Sequence, residues 1–60
     1  MLPQDPEMLL SIINTKLRDE YSSFEDLIVS LDEDRVAIES ILNQEGYFYD
    51  SQSNQFKRKN

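Results

Sequence analysis

Carboxylates are the most abundant reactive groups in this chain. Twelve Asp and Glu stand against six Lys and Arg, for a formal charge of −6 over 60 residues, and histidine and cysteine are both absent. Acid pairs such as Asp32/Asp34 and Glu25/Asp26 have the chemistry to hold a hard cation. The ligand spacing and the glycine of a calcium loop are missing, however, and a catalytic carboxylate pair needs a substrate cleft. Helix capping and solvated faces account for these acids more simply. The serines lack a histidine to activate them, and Lys16 is expected on an exposed helix face. Thiol catalysis, disulfides, zinc fingers and histidine acid–base chemistry are excluded by composition. The expectation is a non-enzyme with no cofactor and no metal site.

The only basic cluster is Lys57-Arg58-Lys59. Residues 1–50 hold all twelve acids with only Lys16, Arg18 and Arg35, a net −9, whereas residues 51–60 carry +3. Such a tail can track phosphates. It also serves as a solvated terminus that discourages strand-edge pairing, and three charges make only a weak electrostatic footprint. The second reading is preferred.

These side chains need elements to position them. Asp5-Pro6-Glu7 starts a helix: a capping acid, proline at the first helical position, and a carboxylate near the positive helix end. Leu9, Leu10, Ile13, Leu17 and Tyr21 recur at helical spacing, with Ser11, Asn14 and Arg18 on the opposite side. The helix is predicted from Pro6 to Glu20. Ser23 with Asp26, or Ser22 with Glu25, has capping-box spacing and opens a helix over about 23–32. Its core face is Phe24, Leu27, Ile28 and Leu31. Asp34 caps a third helix over about 35–45, which turns Ile38, Ile41 and Leu42 inward and ends at Gly46, a left-handed cap.

Tyr47-Phe48-Tyr49 and Gln55-Phe56-Lys57 form the strands of a hairpin over about 47–57, followed by a basic tail over 57–60. Asn54 tolerates the left-handed conformation that closes a four-residue loop. If Asp50 pairs with Gln55, then Tyr47, Tyr49 and Phe56 share the inner face and Phe48 points outward. The predicted fold is a single mainly α domain: a three-helix, helix-turn-helix-like bundle followed by a C-terminal two-stranded β-hairpin. The layout resembles a minimal winged helix-turn-helix. A chain this short buries only about 60% of the surface it exposes when unfolded, so efficient packing or a partner surface is needed.

Two stretches carry a more specific likeness. Asp5-Pro6-Glu7-Met8-Leu9-Leu10, Asn14-Thr15-Lys16-Leu17-Arg18-Asp19 and Tyr21-Ser22-Ser23 resemble the first half of a small family of uncharacterised bacterial proteins. Gly46-Tyr47, Tyr49-Asp50 and Asn54-Gln55-Phe56 resemble its end. This is domain of unknown function family 4250. The resemblance implies a bacterial source and no activity, cofactor or site residue.

Two functional expectations follow. In the first, the chain is a small protein–protein interaction module, binding an unknown protein or a second copy of itself. Its surface would be the apolar positions outside the core pattern: Met8, Ile12, Val29, Val36 and Phe48. In the second, it is a nucleic-acid-binding winged helix using Arg35, Lys57, Arg58 and Lys59. The second is disfavoured. The outward face of the third helix offers Val36, Ser40 and Asn43, and Asp32, Glu33 and Asp34 crowd its start. Like charges there should cost several kcal/mol against a duplex. Asn14 and Arg18 have a possible task in bonding to the hairpin or a partner, though a polar face with local charge pairs is the simpler reading. No long apolar run or basic leader is present, so a soluble cytoplasmic protein without a membrane segment is expected.

Overall fold

A computed structural model describes residues 2–59. Three helices, α1 (Pro6–Asp19), α2 (Phe24–Leu31) and α3 (Arg35–Gln44), precede the strands β1 (Tyr47–Asp50) and β2 (Gln55–Arg58). Lys57 and Arg58, expected to begin a basic tail, instead complete β2 opposite Phe48 and Tyr47, and Asn60, at the end of that expected tail, lies outside the described residues.

Each helix starts where its capping residue predicts. The Asp5 carboxylate accepts from the Glu7 N–H, Ser23 Oγ from Asp26 N–H, and the Asp34 carboxylate from Val36 and Ala37 N–H. These bonds satisfy backbone donors that have no partner within the helix. Ser23 and Asp26 therefore form the cap at α2, and the Asp26 carboxylate reaches back to the Ser22 N–H at 3.2 Å. Among the described residues, the left-handed ones are Asp32 (φ 54°), Gly46 (φ 90°) and Asn54 (φ 56°). Asp32 ends α2, Gly46 lies two residues past α3, and Asn54 closes the hairpin loop.

α1 stops at Asp19, one residue short of the prediction. Tyr21, expected on its apolar stripe, instead lies beyond the helix and packs half-buried against the core. The α2–α3 connection is the three residues Asp32-Glu33-Asp34, as expected for a helix-turn-helix turn.

The core is one cluster: Leu9, Ile13 and Leu17 from α1, Phe24 and Leu27 from α2, Ile38 and Leu42 from α3, and Phe56 from β2. The strands pair antiparallel in the predicted register, with Tyr49 opposite Phe56 and Asp50 opposite Gln55. Phe56 is buried edge-on against Phe24, ring centroids 4.9 Å apart, and Tyr49 touches both rings. The hairpin thus supplies the lid of the helical core, and Phe48 is left outside it, 41% exposed.

Candidate functional site

The hairpin is held to α1 by a set of side-chain amides. Asn14, expected on the solvent side of α1, is half-buried. Its Nδ2 donates to the Phe56 carbonyl at 3.1 Å, and its Oδ1 accepts from the Phe56 N–H at 2.8 Å. Gln55 Nε2 donates to the Asn14 carbonyl at 3.0 Å. Asn54 Nδ2 donates to the carbonyls of Leu17 and Tyr21, at 2.9 and 3.0 Å, where α1 ends. Tyr49 O–H donates to Asn54 Oδ1 at 2.7 Å, and its oxygen accepts from the Phe24 N–H at 3.2 Å. One chain of bonds therefore runs from the start of α2, through the hairpin, to the end of α1. It satisfies backbone groups that helix ends and a strand edge leave open. Among the described residues, no buried side-chain nitrogen or oxygen lacks a partner.

Of the two residues singled out on α1, Asn14 bonds to the hairpin and Arg18 does not. Arg18 makes a two-pronged pair with the neighbouring Asp19 at 2.7 and 2.8 Å. This contact holds the Asp19 carboxyl below its ordinary range and raises the Arg18 guanidinium. The simpler reading was right for Arg18 and missed Asn14. Counting helical positions put Asn14 opposite the apolar stripe, but it gave no sign that β2 would lie along that flank.

The outer hairpin face is the other notable arrangement. Phe48 pairs across the strands with Lys57, and Lys59 Nζ sits 5.9 Å from the Phe48 ring centroid. Together with Tyr49, Asp50 and Arg58 they line an open depression of about 320 Å³. Lys57 reaches Asp50 at 3.4 Å. Arg58 lies over the Tyr47 ring at 5.0 Å and donates to its hydroxyl at 3.3 Å. The Tyr47 contact, first of all through that hydrogen bond, raises the Arg58 guanidinium.

The five apolar candidates fall on four elements. Met8 and Ile12 lie on α1, Val29 on α2, Val36 on α3 and Phe48 on β1. Met8, Val29, Val36 and Phe48 are exposed, whereas Ile12 is half-buried. Only Phe48 among them lines either of two open surface depressions. The four basic candidates divide in the same way. Lys57, Arg58 and Lys59 share the Phe48 depression, while Arg35 is engaged elsewhere, by Glu25 and Glu39 at 3.5 Å each and over the Phe24 ring at 5.8 Å.

A second depression, of about 200 Å³, lies between the segment preceding α1 and the first half of α3. Leu2, Pro3, Ala37 and Ile41 contribute apolar walls, and Glu33 and Asp34 stand at it. Among the described residues, no group of three acidic side chains is placed to hold a metal ion, and no helix is long and apolar enough to cross a membrane.

Comparison with curated proteins and with solved structures returned no match. The family model described as domain of unknown function DUF4250 matches residues 3–56, which takes in the three helices, β1 with Phe48, and the amide-bonded first half of β2, and stops before Lys57. The chain belongs to the DUF4250 family.

Proposed function

We propose that this protein is a small, non-enzymatic, cytoplasmic protein-interaction module whose docking surface is the outer face of the hairpin. The observation that carries this reading is the placement of Phe48. It is a large aromatic side chain, 41% exposed, framed by Lys57 and Lys59 on a protein whose first fifty residues carry −9. An aromatic anchor with flanking cations is the kind of residue set that concentrates binding energy at interfaces. The amide bonds from Asn14, Asn54 and Gln55 fix the strand behind it, so little ordering is left to be paid on binding. The complementary partner is a polypeptide surface that is apolar at its centre and acidic at its rim.

The same face supports a second reading, in which Phe48 stacks on a base and Lys57 and Lys59 track phosphates of a single strand, while Arg58 is turned to the Tyr47 ring. Arg35 takes no part in it, because it lies apart from this face, between Glu25 and Glu39. The acids at the start of α3 also argue against a duplex in the helix-turn-helix manner.

A photo-cross-linking residue at position 48, used in cells of the native host, separates the readings. The interaction module predicts polypeptide adducts that disappear when Lys57 and Lys59 are both changed to Glu. Nucleic-acid adducts would establish the second reading instead, and an absence of adducts would remove both.

A further inference from the structure

We infer that the occupant of the outer hairpin face is the acidic-walled groove at the start of α3 on a second copy of the chain, joined head to tail. This deepens the interaction reading above and rests on it. The groove measures about 200 Å³ and is apolar at Leu2, Pro3, Ala37 and Ile41, with Glu33 and Asp34 beside them. That is below the roughly 300 Å³ at which drug-sized pockets begin, but it suits a single aromatic side chain. Phe48 is such a side chain, and the charged groups lining its depression, Lys57, Arg58 and Lys59 against the single acid Asp50, are net +2, opposite in sign to Glu33 and Asp34. Glu33 is half-buried at the groove and makes no ion pair among the described residues. The charge distribution selects the geometry. Pairing hairpin to hairpin would set one +3 end on another, whereas pairing hairpin to groove sets +3 on a −9 body. The contact is therefore heterologous and propagates to a ring or a filament rather than closing as a two-fold dimer. With a total surface of 4144 Å², each copy presents only a small patch, so the association is weak and concentration-dependent.

Sedimentation analysis of the full chain, taken up to about 1 mM, tests the inference. The unaltered chain should associate, and Phe48→Ala should weaken association by about tenfold or more, the loss expected for a central aromatic anchor. Lys57→Glu with Lys59→Glu, and separately Glu33→Lys, should each do the same by setting like charges together. Circular dichroism on each variant confirms that it folds. Mixing the hairpin-reversed and groove-reversed variants should then restore association, because the unaltered hairpin of one meets the unaltered groove of the other. A chain that stays monomeric throughout overturns the head-to-tail contact, yet leaves the interaction module standing if position 48 still cross-links to other polypeptides. Association that is lost in the lysine variant but indifferent to Glu33→Lys overturns it as well, as does a mixture of folded variants that fails to recover.

Discussion

The side-chain amide of Asn14 and the backbone amide of Phe56 exchange two hydrogen bonds, 2.8 and 3.1 Å long, across 42 residues of sequence. A strand neighbour would make the same pair of bonds. Asn14 thus stands in for a third strand at a single position and closes the part of the β2 edge that faces α1. Phe56 is in turn the hairpin's one buried side chain. The contact holds Phe56 in the core and, through the alternation of the strands, keeps Phe48 outside it.

Replacing Asn14 with Ala should therefore cost stability well beyond its modest burial. It strands the N–H and carbonyl of Phe56 at a part-buried site, a loss of about 2–3 kcal/mol. For a domain of this size that is a large share of the total. Urea unfolding would read it as a lower midpoint with an unchanged slope. Asn14→Asp, which keeps the acceptor and loses the donor, should also destabilise. A midpoint equal to that of the unaltered chain would contradict the role assigned to Asn14.

Asn54 combines a left-handed backbone with bonds to Leu17 and Tyr21, and two substitutions separate these roles. Asn54→Gly keeps the backbone preference and loses the bonds. Asn54→Ala loses both, and should be the less stable of the pair by about 1 kcal/mol. Thermal melting of the two variants side by side reads the difference. The reverse order would show that the φ of 56° is no constraint.

Core and surface should respond in opposite ways. Phe24, 1% exposed, sits beneath Tyr49 and Phe56, and Phe24→Ala should cost about 3–5 kcal/mol and leave the domain largely unfolded. Val29, 72% exposed, lies off the core face of α2, and Val29→Ala should change stability by less than about 0.5 kcal/mol. Chemical denaturation of both would check the assignment of the core.

The hairpin turn should weaken in acid. The Asp50 carboxylate accepts from Ser53 Oγ and Gln52 N–H and faces Lys57, and these contacts, Ser53 first, lower it from its ordinary 3.8. A lowered folded value means the ionised form is favoured by folding. The contribution is therefore complete above the ordinary value and is lost as pH falls through the folded one. An NMR titration of the Asp50 carboxyl should place its midpoint below 3.8, and Asp50→Asn should flatten the acid dependence of the turn resonances. A midpoint at or above the ordinary value would contradict this.

Most of the fold was legible because its signals are local. Caps at Asp5, Ser23 and Asp34, the apolar spacing of each helix, and the left-handed Gly46 and Asn54 each act within a few residues. The hairpin register followed from loop length and fixed which of Phe48 and Tyr49 faces inward. What local pattern does not carry is the approach of distant segments. Helical spacing placed Asn14 on the solvent side, and only the docking of β2 turns that flank into a contact surface. The apolar surplus likewise gave five candidates without showing that they sit on four elements, or that cations gather around Phe48 alone. Arg35 and the tail looked equally basic in sequence, but Glu25 and Glu39 engage Arg35 from two helices.

The central claim is that binding runs through the Phe48 face and not through exposed apolar surface in general. Comparing photo-cross-linking from position 48 with that from position 29 tests it directly, because Val29 is the more exposed of the two, at 72% against 41%. Polypeptide adducts from position 48, with none or few from position 29, are the predicted result. Equal yields from both positions, or adducts from position 29 alone, would contradict it.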